Sequence, residues 1–167
     1  TKGFRRTREL LGDREVTVAE GLEILGNVLL AEIGGAMGPL YGTFFLEMAA
    51  PCRGLDAIDR DVFGKMLAAA LATVQNLGGA KPGDKTMIDA LVPAVSEYQT
   101  VVIGGADFPE ALIRMAAAAE KGRDSTRDMI AKLGRASRLG ERSRGILDAG
   151  AASCALILKS LAHSLNG

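Results

Sequence analysis

The stretch TVAEGLEILGNVLLAEIGGAMGP (Thr17–Pro39) decides the fold class. Val18, Leu22, Leu25, Val28 and Leu29 recur at three- to four-residue spacing, the period of one helix face. Ile24 and Leu30 widen the stripe, so the segment reads as a mostly buried helix from about Thr17 to Ile33. The glycine-rich break GGAMGP (Gly34–Pro39) ends it. Working outward, a short first helix covers about Lys2 to Leu11, and a third carries Leu40, Phe44, Phe45, Leu46 and Met48 and ends near Pro51. A fourth runs from about Asp59 to Leu77 and stops at Gly78-Gly79. The fifth, about Thr86 to Val102, contains Pro93, which should kink it or mark its first turns. Asp107 reads as the N-cap of a sixth helix, about Phe108 to Leu133, with Pro109 and Glu110 in its first turn. Asp148 likewise opens a seventh, about Ala149 to Leu165. No hairpin signal appears. The expected fold is all-α, an up-and-down antiparallel barrel or bundle of seven helices in a single domain over residues 1–167.

Composition agrees. The chain has 167 residues, 26 of them Ala and 21 Gly, with no Trp and 4% aromatics, which suits closely packed helices better than a β-sandwich. At 48% hydrophobic it is not a disordered chain. Twenty basic and twenty acidic residues cancel, so a global basic footprint for nucleic acid is absent. The longest uncharged run, Met66–Ala80, falls short of the roughly 20 apolar residues of a membrane span, and no secretory leader is visible. Cys52 and Cys154 lie among apolar residues and read as small buried hydrophobes in a reducing cytoplasm. With no CxxC and one histidine, His163, a metal site on these residue types is not expected.

Three loops carry the chemistry. Up-and-down counting places those at Gly34, Pro82 and Arg135 at one end of the bundle. GGAMG has no strand before it, so it is not a dinucleotide or P-loop fingerprint. Its glycines let backbone N–H groups turn toward an anion at the start of a helix, or let two helices pack closely. PGDKT repeats the theme: Pro82-Gly83 makes a turn, Asp84 caps it, and Lys85 and Thr86 sit beside a helix start. From Lys121 to Gly145 there are eight basic residues against three acidic, with Arg favoured in the loop, as expected for planar recognition of phosphate or carboxylate. Leu40 and Met87 flank these loops and could wall a nucleotide base. No loop holds a cluster of aspartates for Mg²⁺; Asp56, Asp59 and Asp61 come closest, at the other end by this count. No residue qualifies as a general base, so no catalytic side chain is assigned.

Three motifs in this order, GGAMGPLYGTFF (Gly34–Phe45), KPGDKTMIDALVP (Lys81–Pro93) and GRASRLGERSRG with the following DAG (Gly134–Gly150), resemble the nucleotide-binding L subunit, or DhaL domain, of dihydroxyacetone kinases. The resemblance runs over essentially the whole chain. It implies an eight-helix barrel with ADP or ATP bound at one end. It also implies a partner K subunit that holds dihydroxyacetone, and in one form of the enzyme a phosphohistidine M subunit that rephosphorylates ADP.

Carried over to this chain, the resemblance places Ala36 and Met37 where the family's glycine loop meets the phosphates, with Met37 where a serine is common; Gly34, Gly35 and Gly38 belong to the same expected nucleotide-binding loop. It puts Gly78 and Met87 along the adenine; Leu40, Asp84, Lys85 and Thr86 are also expected to bind the nucleotide, Lys85 by offsetting phosphate charge. Arg135 falls over the nucleotide, and Asp148, Ala149 and Gly150 match a closing Asp-Pro-Gly. The family's first helix and Mg²⁺-holding aspartate loop would lie upstream of Thr1, so the chain is expected to be N-terminally incomplete and to carry no metal ligands itself. The function implied is phosphoryl transfer to a small ketose held by the partner, with no nucleic acid or membrane involved. Two other readings keep the fold: a fatty-acid-kinase-like nucleotide-binding domain, and a non-enzymatic regulatory module. A lipid-holding helical bundle is a fourth reading.

Overall fold

The structure is a computed structural model that describes residues 2–166. It divides into two compact units, one ending at Gly78 and one beginning at Gly79. The first unit contains α1 (Lys2–Leu11), α2 (Val18–Glu32), α3 (Met37–Ala49), a 3₁₀ turn (Ala50–Cys52) and α4 (Arg60–Gly78). The second contains α5 (Ile88–Ile103), α6 (Phe108–Ser125), a 3₁₀ turn (Thr126–Asp128), a 3₁₀ segment (Arg135–Ser143) and α7 (Ala149–Leu165). Among the described residues there is no strand, and the fold is all-α. Among those residues no helix is long and apolar enough to cross a membrane.

In the first unit α2 packs on α1 and α3, and α3 packs on α4. A capping box starts α2: the Thr17 amide donates to Glu20 Oε2 at 2.8 Å while Thr17 Oγ1 accepts from the Glu20 amide. Two glycines set the α2–α3 distance. A Cβ on Gly26 would lie 2.9 Å from the Gly42 carbonyl oxygen, and one on Gly42 would lie 2.9 Å from that of Gly26. The close approach lets Phe44, Phe45, Met48, Phe63, Met66 and Leu67 bury completely. Phe44 and Phe45 meet edge to face, centroids 5.2 Å apart, a geometry worth about 0.5–1.5 kcal/mol beyond the area buried. Tyr41 belongs to the same core.

In the second unit α5, α6 and α7 each pack on the other two, around Leu91, Tyr98, Leu112, Met115 and Leu158. Pro93 does not end α5; the helix continues across it. Lacking an N–H, Pro93 leaves the Asp89 carbonyl without its helical donor. Gly122 of α6 fills that place, so closely that a Cβ there would lie 2.2 Å from the Asp89 oxygen. Asp107 caps α6 as expected, accepting from the Glu110 amide at 2.9 Å. The sixth helix is shorter than the sequence suggests, ending at Ser125 rather than near Leu133. Thr126 ends it: its Oγ1 donates back to the Arg123 carbonyl at 2.6 Å and accepts the Asp148 amide at 3.0 Å, a tertiary cap. Both cysteines are free and buried, and burial pushes the Cys154 thiol up to about 12.

Candidate functional site

The α2–α3 connection in the first unit separates the jobs of its glycines. Gly35 has φ 73°, the left-handed region that turns the chain. Gly38 is a packing residue, since a Cβ there would lie 1.9 Å from the Ile33 carbonyl oxygen. Gly34 has open space around it. The helix-packing reading of this motif therefore holds for Gly38, while the exposed Gly34–Gly35–Ala36 backbone is left to face solvent. Ala36 is the N-cap of α3 and offers no side-chain acceptor, so the first amides of α3 carry no cap. Such an end attracts anions through its free N–H groups and its dipole. Met37 is half-buried at the first helical position. Leu40, one turn on, lies beside the end of α4: a Cβ on Gly78 would meet Leu40 Cδ2 at 3.6 Å. Two of the residues expected along the base are thus neighbours.

In the second unit the turn before α5 is held by carboxylates. Asp84 Oδ2 accepts the Lys81 amide at 2.8 Å and Oδ1 pairs with Lys132 Nζ at 3.3 Å. The Lys81 amide holds the Asp84 carboxyl below its usual range, with burial opposing and Lys132 assisting. Asp89, 5% exposed, accepts the Gly83 amide on Oδ1 at 2.5 Å and the Thr86 amide on Oδ2 at 2.7 Å. Thr86 Oγ1 accepts from the Ile88 amide at 3.2 Å, and Met87 is buried at the head of α5. Lys85 departs from the expectation of a surface charge facing phosphate. It is 3% exposed, and its ammonium donates to the carbonyls of Met129 (3.1 Å) and Ser143. It also has φ 61°, the single positive φ of a non-glycine residue among those described.

The arginine-rich loop meets this turn, as the counting of loop ends predicts for these two. The Lys132 amide donates to the Asp84 carbonyl at 3.1 Å. Ser143 Oγ accepts the Ala131 amide at 3.0 Å and donates to the Gly140 carbonyl at 2.6 Å, closing the loop on itself. Arg144 pairs with Glu141, whereas Arg135, Arg138 and Arg142 are exposed and form no ion pair among the described residues. Asp148 caps α7, its Oδ2 accepting the Ala151 amide at 2.7 Å. Burial pushes its carboxyl up; the Ala151 and Gly150 amides oppose this, Asp89 adds to it and Lys85 opposes it. Ala149 is exposed, and Gly150 packs so closely that a Cβ would lie 3.2 Å from the Met87 nitrogen. The structure thus brings Met87, Asp148 and Gly150 together.

The loops can neutralise anionic charge, whereas the described side chains do not fit a Mg²⁺ site. Among the described residues no three His, Cys, Asp or Glu side chains group as a ligand set. Asp84, Asp89 and Asp148 already hold backbone amides. Asp59, at the opposite end by the earlier count, caps α4 by accepting the Val62 amide at 2.8 Å. Sequence reading missed Asp89, Thr126 and Ser143. A signal for Asp89 was present, because Thr86-Met87-Ile88-Asp89 is the Thr-x-x-Asp pattern of a helix start. Ser143 and Thr126 act on residues more than ten positions away, which local pattern does not report.

Comparison with known proteins agrees with these motifs. An ADP-binding subunit DhaL of PEP-dependent dihydroxyacetone kinase from Listeria innocua is 38% identical, covering 98% of this chain and 76% of its own length. The corresponding subunit from Escherichia coli is 36% identical, over 96% of this chain and 77% of its own. The dihydroxyacetone kinase of C. freundii superimposes with a TM-score of 0.69 at 27% identity, over 97% of this chain, which spans 27% of that one. The DAK2 domain family matches residues 1–163, through both units, and the chain belongs to that family.

Proposed function

We propose that the chain is the nucleotide-binding subunit of a dihydroxyacetone kinase, binding ADP or ATP in the cytoplasm. Phosphate would pass to the terminal hydroxyl of a small ketose held by a partner K subunit. Either ATP or a phosphohistidine M subunit would be the phosphoryl source. The observation that carries this reading is the arginine loop of a family member, with Arg135, Arg138 and Arg142 exposed and unpaired among the described residues. The relatives named as ADP-binding subunits support the ligand. The reading assigns the uncapped start of α3 (Gly34 to Gly38) to phosphate, and Leu40, Gly78 and Met87 to the base. Arg135 meets anionic charge, and Asp148, Ala149 and Gly150 form the turn beside Met87.

The chain's own contribution would be positioning and charge neutralisation. Amides at a helix start and guanidinium groups stabilise charge that spreads over the transferred group, and a substrate-side base would belong to the partner. Mg²⁺ accompanies the nucleotide in this proposal, but the described residues do not form its ligand set and no step is derived through it. Calorimetric titration of ADP into the full chain, with and without Mg²⁺, tests the reading. Saturable binding that weakens on Arg135→Ala supports it. Absence of binding in both conditions refutes it and favours a regulatory module of the same family.

A further inference from the structure

The ammonium of Lys85 lies at a particular place in the second unit. Met129 follows the 3₁₀ turn after α6, and Ser143 ends the 3₁₀ segment that begins at Arg135. These two residues are the feet of the loop that carries Arg135, Arg138 and Arg142, and Lys85 donates to the carbonyl of each. The feet are also tied to each other through Ala131 and Ser143 Oγ, and just outside them the Gly145 amide donates to the Arg127 carbonyl at 2.7 Å. On its own side Lys85 is fixed by its neighbours. Asp89 holds the Gly83 and Thr86 amides on either side of it, in a backbone conformation that non-glycine residues seldom adopt. A buried ammonium needs partners for its donors, and here two carbonyls from one loop take two of its three. Asp148, whose carboxyl responds to Lys85, adds a further element to the same cluster.

We propose that Lys85 is a positioning residue: it pins both feet of the 129–143 loop to the turn before α5 and so sets Arg135 against its anion. The inference deepens the nucleotide reading above and rests on it. It assigns Lys85 no contact with the ligand. Its effect on ADP runs through Arg135, and Asp89 acts in support by holding the turn from which Lys85 projects.

A double-mutant cycle on ADP affinity tests this in the full chain, using Lys85→Met, Arg135→Ala and the pair. Each single substitution is expected to weaken ADP by about tenfold, and the pair by no more than about twofold beyond the weaker single variant. Undiminished ADP binding by Lys85→Met overturns the proposal, and so do losses that multiply. Should Lys85→Met fail to fold, Lys85→Gln, which stays polar but is one atom too short to reach both carbonyls, takes its place in the same cycle under the same criteria. Amide hydrogen exchange supplies a readout independent of ADP. Residues 134–142 should exchange faster in the Lys85 variant, with α6 and α7 unchanged; unaltered exchange in 134–142 overturns the proposal. A wild-type chain that does not bind ADP refutes the nucleotide reading, and the exchange comparison then decides alone whether Lys85 sets the loop.

Discussion

Replacing Gly122 by Ala should destabilise the second unit even though alanine is the better helix former. The added Cβ would sit 2.2 Å from the Asp89 carbonyl oxygen, 2.8 Å from Pro93 Cγ and 3.1 Å from Ala90 Cα. Ordinary contact begins near 3.4 Å, so α5 and α6 must part by about an ångström. Two of the three neighbours are backbone and the third is a proline ring, so no flexible side chain can yield. Overpacking of this kind costs about 1–3 kcal/mol, and glycine-to-alanine helix propensity returns about 1 kcal/mol. With a backbone clash the cost lies at the upper end, giving a net loss of about 1–2 kcal/mol. Gly21→Ala is the control. Its Cβ would meet only Val16 Cγ2 at 3.9 Å, so propensity alone acts and the first unit should gain about 0.5–1 kcal/mol. Urea unfolding followed by circular dichroism at 222 nm measures both. A Gly122→Ala protein as stable as wild type would refute the argument that Pro93 and Gly122 together set the α5–α6 distance.

Met37→Ser places a hydroxyl donor at the uncapped start of α3, and ADP affinity by calorimetry should rise by about three- to tenfold; a decrease would remove this helix end from the phosphate assignment. Asp148→Asn keeps an oxygen for the Ala151 amide and removes a half-buried charge. Because the folded carboxyl of Asp148 is raised, wild-type stability relative to Asp148→Asn should fall as pH rises from about 4 through the raised value, and level off above it. Urea midpoints across that range check the sign, and a rising difference would contradict it. Cys52 and Cys154, both 1% exposed, should stay unlabelled by a thiol reagent at pH 8 until urea unfolds the chain; fast labelling of the native protein would mean that these cores open.

Most of the fold was legible because it is written in local pattern. Periodicity, glycine breaks and caps placed α1, α2, α4, α5 and α7 to within about two residues, whereas α3 begins at Met37, inside the stretch read as a glycine-rich break; Asp107 and Asp148 marked two starts that the structure caps with those side chains. The end of α6 was not legible. Residues after Ser125 remain mostly compatible with a helix, and the stop comes from Thr126 accepting an amide from residue 148. The site divides similarly. Its glycines and arginines stand out in the sequence, but the fate of Lys85 does not. A lysine after Pro-Gly-Asp reads as a surface charge, and only the return of Met129 and Ser143 buries it. Asp89 differs, since its Thr-x-x-Asp signal accounts for the Thr86 amide three residues before it but not for the Gly83 amide six residues before it.

The burial of Tyr41 in the first unit and Tyr98 in the second, in a chain without tryptophan, gives each unit one phenol of its own. Intrinsic ultraviolet emission therefore has two sources, one per unit, and replacing either tyrosine by phenylalanine silences one of them. The remaining signal then follows the unfolding of a single unit without an attached dye, so the order in which the two cores melt can be read from two such variants and the wild type.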